Sequence, residues 1–286
     1  MKLEGKRILL TGASGGIGEA LAMELAAQGA HLLLHGRRAS ALERLRRELP
    51  HPERHQTVTA DLGSPQERAR LLQHPALEEG LDVLINSAGC NQFAWLEDQS
   101  SEQVTRQLLL NIEAPIQLTR ALLPRLRKPA IIMNIGSSLG AIGYAGYSVY
   151  CASKFALRGF SEALGRELEG TGIKVLHFAP RATRTHLNSE AAYAMNAELG
   201  THTDSPQDVA EEAVIALCNE TRRRWLGWPE KLFVRLNGLL PAVVDMALAR
   251  QRPIIERHAR RTASPAPAPA PAHRSDRACA THEKEH

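Results

Sequence analysis

The stretch that most limits what this chain can fold into is Arg7-Ile8-Leu9-Leu10-Thr11-Gly12-Ala13-Ser14-Gly15-Gly16-Ile17-Gly18. Arg7 to Leu10 is a short, mostly apolar run and reads as a buried strand. Glu19 to Gln28 is rich in Ala and Leu at helical spacing and stops at Gly29. Strand, glycine-rich turn and helix together make a cradle for a phosphate. Glycines let the backbone turn sharply and approach a ligand closely, and a helix N-terminus offers free N–H groups and a positive dipole end. Gly12, Ser14, Gly16, Ile17 and Gly18 are the candidate contacts. The spacing is G-x-x-x-G-x-G, not the commoner G-x-G-x-x-G. With no ligand, the same stretch is a plain glycine-rich turn.

The unit then repeats. His31 to Leu34 reads as a second strand and ends in His35-Gly36-Arg37-Arg38. A site for NAD usually carries an acid here to hold the ribose 2′-hydroxyl. Two arginines stand there instead, and guanidinium groups suit a 2′-phosphate. The residues point to NADP(H) over NAD(H), although Arg37 and Arg38 also fit as solvated charges opening the helix Ala39 to Leu49. Gln56 to Ala60 is a third strand, followed by Asp61-Leu62, a turn suited to lie against an adenine. Ser64-Pro65 opens a helix with Ser at the cap and Pro in the first turn. Leu81 to Ile85 is a fourth strand, closed by Asn86-Ser87-Ala88-Gly89, whose small residues leave room for a ligand.

A long helix is expected from Ser101 to Arg127, with Asn111 in its middle. That Asn is either a core residue tied to a backbone carbonyl or one that opens the helix locally and holds water. Ala130 to Ile135 is a fifth strand leading to Gly136-Ser137, and Ile173 to Phe178 is a sixth. Arg224 to Gly227 is a candidate seventh. Short apolar strands alternating with helices predict an α/β fold of the Rossmann type: a doubly wound parallel sheet with helices on both faces, in one domain over residues 1–221.

Between the fifth and sixth strands lies Tyr150-Cys151-Ala152-Ser153-Lys154. Positions i and i+4 share a helix face, so the phenol and the ammonium project to the same side. A neighbouring cation is expected to lower the tyrosine pKa, which suits the pair to move a proton on or off a carbonyl or alcohol oxygen. Ser137 is placed to hydrogen-bond that same oxygen. Alone, Tyr-x-x-x-Lys is a common chance pattern on half-buried helices.

Taken together these residues resemble the short-chain dehydrogenase/reductase family over about residues 5–220. Thr11-Gly12-x-x-x-Gly16-x-Gly18 resembles its cofactor loop. Asn86-Ser87-Ala88-Gly89 resembles its Asn-Asn-Ala-Gly motif with one substitution. Asn111, Ser137, Tyr150 and Lys154 match its catalytic four in order and spacing, and Pro180 to Thr185 resembles its Pro-Gly-x-x-x-Thr turn. The resemblance implies hydride transfer at a secondary alcohol or ketone. Tyr150 would be the acid or base, Ser137 would hold the oxygen, and Lys154 would lie on the nicotinamide ribose. Asn111 would hold a water, and Pro180, Thr183 and Thr185 would meet the nicotinamide. It also implies a homodimer or homotetramer and a substrate lid at about 183–204. Arg181 departs from the pattern, standing where the family usually has Gly.

The chain carries 35 Lys and Arg against 31 Asp and Glu. Residues 222–261 hold a net +7, while residues 1–221 are net −3. The basic balance therefore belongs to one late segment, which argues against nucleic acid as a partner. That segment also holds Trp225, Trp228 and Leu239-Leu240-Pro241. It fits a cover over the substrate mouth, an oligomer contact, a rest on an anionic membrane surface, or a helix pair packed on its own sheet. Four scattered cysteines without a C-x-x-C suit a reducing, cytoplasmic compartment. No apolar run is long enough to span a bilayer, and no signal peptide is read at the start. Residues 262–286 are rich in Pro and Ala and are expected to be disordered. Their last five residues fit H-E-x-x-H, but no metal site is expected at a chain end lacking a third ligand. The expected activity is an NADPH-dependent carbonyl reductase acting on an apolar ketone or ketoacyl-type substrate. The alternative is a nucleotide-binding regulatory or membrane-surface protein with little turnover.

Overall fold

The computed structural model describes residues 1–260. The Pro/Ala-rich tail and its H-E-x-x-H lie outside the described residues. Seven strands form one sheet: β1 (Arg7–Leu10), β2 (His31–Gly36), β3 (Gln56–Thr59), β4 (Leu81–Asn86), β5 (Leu126–Ile135), β6 (Ile173–Ala179) and β7 (Arg223–Trp225). Their order is β3-β2-β1-β4-β5-β6-β7 and every pairing is parallel. Parallel strands need crossovers, and here these are mostly helical: α1 (Gly16–Ala27), α2 (Ala39–Glu48), α3 (Pro65–Leu72), α4 (Ser101–Leu108), α5 (Ala114–Leu122) and α6 (Ser148–Glu167). Beyond β6 come α7 (Glu190–Glu198), α8 (Pro206–Cys218), α9 (Glu230–Leu239) and α10 (Pro241–Arg260).

Helices on both faces explain why the inner strands read as unbroken apolar runs. Side chains alternate between faces. Ile8 and Leu10 join a core with α1, α2 and α8 through Leu21, Leu25, Leu45 and Val209. Leu9 joins the opposite core with Leu71, Leu118, Leu122 and Leu164 of α3, α5 and α6. The edge strands are short and polar, Gln56 to Thr59 on one side and Arg223 to Trp225 on the other, which protects the sheet from pairing with foreign strands.

Two features differ from the sequence expectation. The single helix expected from Ser101 to Arg127 is instead α4, a π-helical turn over Leu109–Glu113 and α5. A 3-10 turn at Leu123–Arg125 follows, and β5 already begins at Leu126, which pairs with Leu81. Pro124 sits inside that turn and lacks the N–H a continuing helix needs. The second difference is that the late segment packs neither wholly on the sheet nor wholly in solvent. Ile255 and Ala259 of α10 join Ala192 and Met195 of α7 and Phe93, Tyr147 and Tyr150 in a third apolar cluster. Among the described residues no helix is long and apolar enough to cross a membrane.

Candidate active site

The strand order reverses between β1 and β4, and a ligand crevice is expected at such a point, beyond the carboxyl ends of the strands. The glycine loop sits there. Gly12 has a φ of 70°, and a Cβ on it would come within 2.8 Å of Ala88 Cα. A side chain at this position is therefore excluded twice, by conformation and by contact. Two residues fix the loop. The Thr11 hydroxyl donates to the Ile85 carbonyl and accepts from the Ser87 and Ala88 N–H groups, joining β1 to β4. His35 is buried, its Nε2 at 3.1 Å from the Ala60 carbonyl and its Nδ1 at 3.4 Å from the Gly12 N–H. Burial pushes its pKa down to about 4, so the ring is neutral and can accept at Nδ1. The sequence reading gave His35 no role. Its signal was a polar residue ending an otherwise apolar strand.

The loop opens into a cavity of about 990 Å³, at the upper end of the roughly 300–1,000 Å³ usual for ligand sites. At one end Gly12, Ser14, Gly16, Ile17 and Gly18 line it. Arg37, Arg38, Asp61 and Leu62 border the same end. Both arginines are exposed, and neither belongs to an ion pair among the described residues. Ala88, Gly89, Pro180, Thr183 and Thr185 line the middle. A donor set of glycine-loop amides and two free guanidinium groups fits the phosphates of a dinucleotide.

Ser137, Tyr150 and Lys154 also line the cavity. Ser137 lies two residues beyond β5, and its Oγ accepts from the Leu139 N–H at 3.1 Å. Lys154 Nζ lies 5.6 Å from the Tyr150 ring centroid and donates to the Ile135 carbonyl at 3.0 Å. Burial dominates the electrostatics here. It pushes Tyr150 up to about 12 and Lys154 down to about 8. The expected lowering of the phenol by Lys154 is not seen: burial sets the direction, and Lys154 is not among the groups that act on Tyr150, only the nearby Ser137 opposing the rise.

Two of the expected site residues do not reach the cavity with their side chains. Asn86 is buried beneath the strand ends, where its Nδ2 donates to Asn134 Oδ1 at 2.8 Å and Thr119 Oγ1 at 3.2 Å. Asn134 passes the chain of bonds on to Ser161, so Asn86 braces β4 against β5 and α6. Asn111 lies in the π-helical turn. Its Oδ1 accepts from the Cys90 N–H, and its Nδ2 donates to the Cys90 carbonyl and to Ser153 Oγ, all near 3.0 Å. Its amide is thus satisfied by protein, and it ties the segment after β4 to the helix carrying Tyr150 and Lys154. Ser153 is a partner that the sequence reading did not single out.

The rest of the cavity lining mixes apolar side chains with polar ones such as Asn91, His186, Asn196 and Gln251. Leu139, Ile142, Tyr147 and Met195 supply its apolar part, together with Phe233 of α9 and Leu248 of α10. The Tyr144 hydroxyl meets Gln251 Oε1 at 3.0 Å, and Asn237 Nδ2 meets the Ala141 carbonyl at 2.9 Å. Of the arrangements open to the late segment, the cover over the cavity mouth is the one that these contacts make.

Arg181, the departure from the expected motif, is fully engaged. Its guanidinium forms two bonds with Asp204, of 2.9 and 2.7 Å, and reaches the Trp228 carbonyl at 3.2 Å and Glu230 Oε2 at 3.4 Å. These bonds join the far end of the 183–204 segment to the start of α9. Asp204 also pairs backbone to backbone with Ala182 and Arg184.

A doubly wound parallel sheet of this order, with a glycine loop at its switch point, defines the dinucleotide-binding α/β class. The family model for short chain dehydrogenases matches residues 6–196, and the chain belongs to the short-chain dehydrogenase/reductase family of oxidoreductases. It is 39% identical over 182 residues to Nodulation protein G of Rhizobium sp. (strain N33), covering 63% of this chain and 74% of that one. It is 33% identical over 259 residues to Dehydrogenase/reductase SDR family member 7B of Bos taurus, covering 85% and 80%. A short chain dehydrogenase from Burkholderia cenocepacia J2315, solved in complex with NADP, superposes with a TM-score of 0.72 at 29% identity, over 81% of this chain and 100% of that one.

Proposed function

We propose that this chain is an NADPH-dependent reductase of uncharged, apolar ketones or ketoacyl-type compounds. The observation that carries the reading is that Ser137, Tyr150 and Lys154 line the same cavity as the glycine loop, with Lys154 Nζ 5.6 Å from the Tyr150 ring centroid. Bound cofactor supplies the hydride that reaches the carbonyl carbon. Ser137 and Tyr150 hold the carbonyl oxygen between their hydroxyls. Tyr150 then gives its proton to that oxygen, and the charge of Lys154 opposes the negative charge left on the phenol. With Tyr150 at about 12, the phenol is protonated throughout the neutral range, which favours the reducing direction.

Gly12, Ser14, Gly16, Ile17 and Gly18 would hold the cofactor's pyrophosphate, Arg37 and Arg38 its 2′-phosphate, and Asp61 and Leu62 its adenine. Ala88, Gly89, Pro180, Thr183 and Thr185 would meet the nicotinamide end. The NADP of the Burkholderia relative supports the phosphate-bearing cofactor. Segment 183–204 acts as the substrate lid, and Arg181 holds it down. Because Asp204 and Glu230 already neutralise Arg181, this cation is not offered to an anionic substrate, and Leu139, Ile142, Met195, Phe233, Val244 and Leu248 give the same cavity a substantial apolar surface.

The test is a panel of carbonyl compounds followed through NADPH absorbance, including acyl thioesters, polycyclic ketones, sugars and small keto acids. Turnover is expected with the bulky apolar members. A marked preference for keto acids or sugars overturns the substrate class, and no turnover on any member overturns the reductase.

A further inference from the structure

The hairpin of α9 and α10 has two faces. Val244, Leu248 and Gln251 stand at i, i+4 and i+7 on α10 and line the cavity. The other face is solvent-exposed and apolar. Thirteen large apolar side chains are exposed among the described residues, and seven of them fall within residues 228–246: Trp228, Leu232, Phe233, Leu239, Leu240, Val243 and Met246. Leu239 is 80% exposed, Trp228 68% and Met246 63%. Single exposed apolar residues need no explanation, but a cluster of this kind at one end of a molecule marks a surface that something covers.

The charges around the cluster say what covers it. Residues 231–255 contain Lys231, Arg235, Arg250 and Arg252 against one carboxylate, Asp245. None of these four cations belongs to an ion pair among the described residues. At the other end of α10 the cations are spent on the body of the protein: Arg257 on Glu198, and Arg260 on Glu97, Asp98 and Glu256. The hairpin is thus anchored at both of its far ends, by the Arg181 latch and by Arg257 and Arg260, and carries exposed apolar side chains and unneutralised cations along its length. A second copy docked there about a two-fold axis would bring two like sets of unneutralised cations into one interface. The chain's last residues, 262–286, contain no Leu, Ile, Val, Met, Phe, Tyr or Trp to fill the cluster. An anionic lipid surface meets both requirements: it accepts Trp and Leu side chains at the headgroup level and attracts Lys and Arg.

We propose that the outer face of the α9–α10 hairpin docks reversibly on anionic lipid bilayers, with Trp228, Leu232, Leu239, Leu240 and Met246 entering the headgroup region and Lys231, Arg235 and Arg250 facing the lipid phosphates. The docking depends on the outer face alone and stands whether or not the cavity reduces carbonyls.

The test is co-sedimentation of the full chain with vesicles of phosphatidylcholine containing phosphatidylglycerol, and with phosphatidylcholine alone, at low and high salt. Binding is expected to the anionic vesicles at low salt and to fall as salt rises. Lys231→Ala with Arg235→Ala should weaken it about thirtyfold, at about fivefold per cation. Leu239→Asp with Leu240→Asp should abolish it while the melting temperature and the nucleotide affinity hold, which separates lost docking from lost folding. No binding at low salt, equal binding to neutral vesicles, or binding untouched by either double variant overturns the proposal. So does light scattering that shows a dimer in the unaltered chain and a monomer in the Leu239→Asp, Leu240→Asp variant, because the cluster is then covered by a second copy.

Discussion

The two ends of the cavity are built by different means. At the glycine-loop end the walls are mostly backbone, delivered by the carboxyl ends of β1, β2 and β4 and fixed by Thr11 and His35. The far end is walled partly by side chains from α7, α9 and α10, which are held by an ion-pair latch at Arg181, a small apolar cluster and a few side-chain bonds such as Tyr144 to Gln251 and Arg257 to Glu198. A sheet-borne wall is rigid because every strand end is hydrogen-bonded to two neighbours. A wall of helices joined by a few side-chain contacts opens at lower cost. A fixed nucleotide and a variable substrate suit these two constructions respectively.

The sharpest break of this comparison is at the boundary between the two ends. Tyr150→Phe keeps the ring and removes the proton donor, so the rate should fall on the order of a thousandfold while the dissociation constant for NADPH, measured by fluorescence, stays within the error. A variant that keeps a tenth of the rate would remove Tyr150 from the proton transfer.

The next effect falls at the nucleotide end alone. Arg37→Ala with Arg38→Ala should weaken NADPH binding by about thirtyfold and leave NADH nearly unchanged, since each lost charge-assisted bond is worth about 1–2 kcal/mol net. Calorimetric titration with both cofactors decides it. Equal affinities in the unaltered protein would assign the two arginines to solvent.

At the substrate end, Arg181→Gly restores the residue usual in the family's turn but cuts the latch to Asp204 and Glu230. KM for the carbonyl substrate should rise about tenfold, with NADPH affinity kept, because removing one member of a half-buried ion pair frees its partners. Arg181→Lys should not rescue it, as an ammonium cannot bond both carboxylate oxygens of Asp204 and reach Glu230 with one planar fork. An unchanged KM in the glycine variant would show that the far end is held without the latch.

The smallest effect near neutrality is a pH dependence. Burial lowers Lys154 to about 8 and raises Tyr150 to about 12. Between them only Lys154 loses its proton on the alkaline side of neutrality. The rate of reduction should therefore be level below about pH 7, be halved near 8 and fall further above it. A profile that stays level to pH 10 would mean that the charge on Lys154 is not needed.

Much of this was legible in the sequence because it is local. The strand, glycine turn and helix of residues 7–28 lie within one short stretch, and apolar runs such as Leu81 to Ile85 announce buried strands by composition alone. The Tyr150–Lys154 spacing is a property of one helix. Asn86 was harder. Its place after a strand suggested a ligand contact, yet it turns inward to Asn134 and Thr119, and that choice depends on neighbours 48 and 33 residues away.

The sequence alone determined the parallel α/β architecture, the glycine loop and the pairing of Tyr150 with Lys154 on one helix face, since period, turn chemistry and i, i+4 geometry act over a few residues. Only the tertiary structure decided the rest. It set the directions of the pKa shifts at Tyr150 and Lys154, because burial is a property of the assembled cavity. It engaged Arg181 with Asp204 and Glu230, partners 23 and 49 residues along the chain. It also gave α10 one face in the cavity and another in solvent. Contacts between distant segments depend on how the whole chain closes, and no local pattern encodes that.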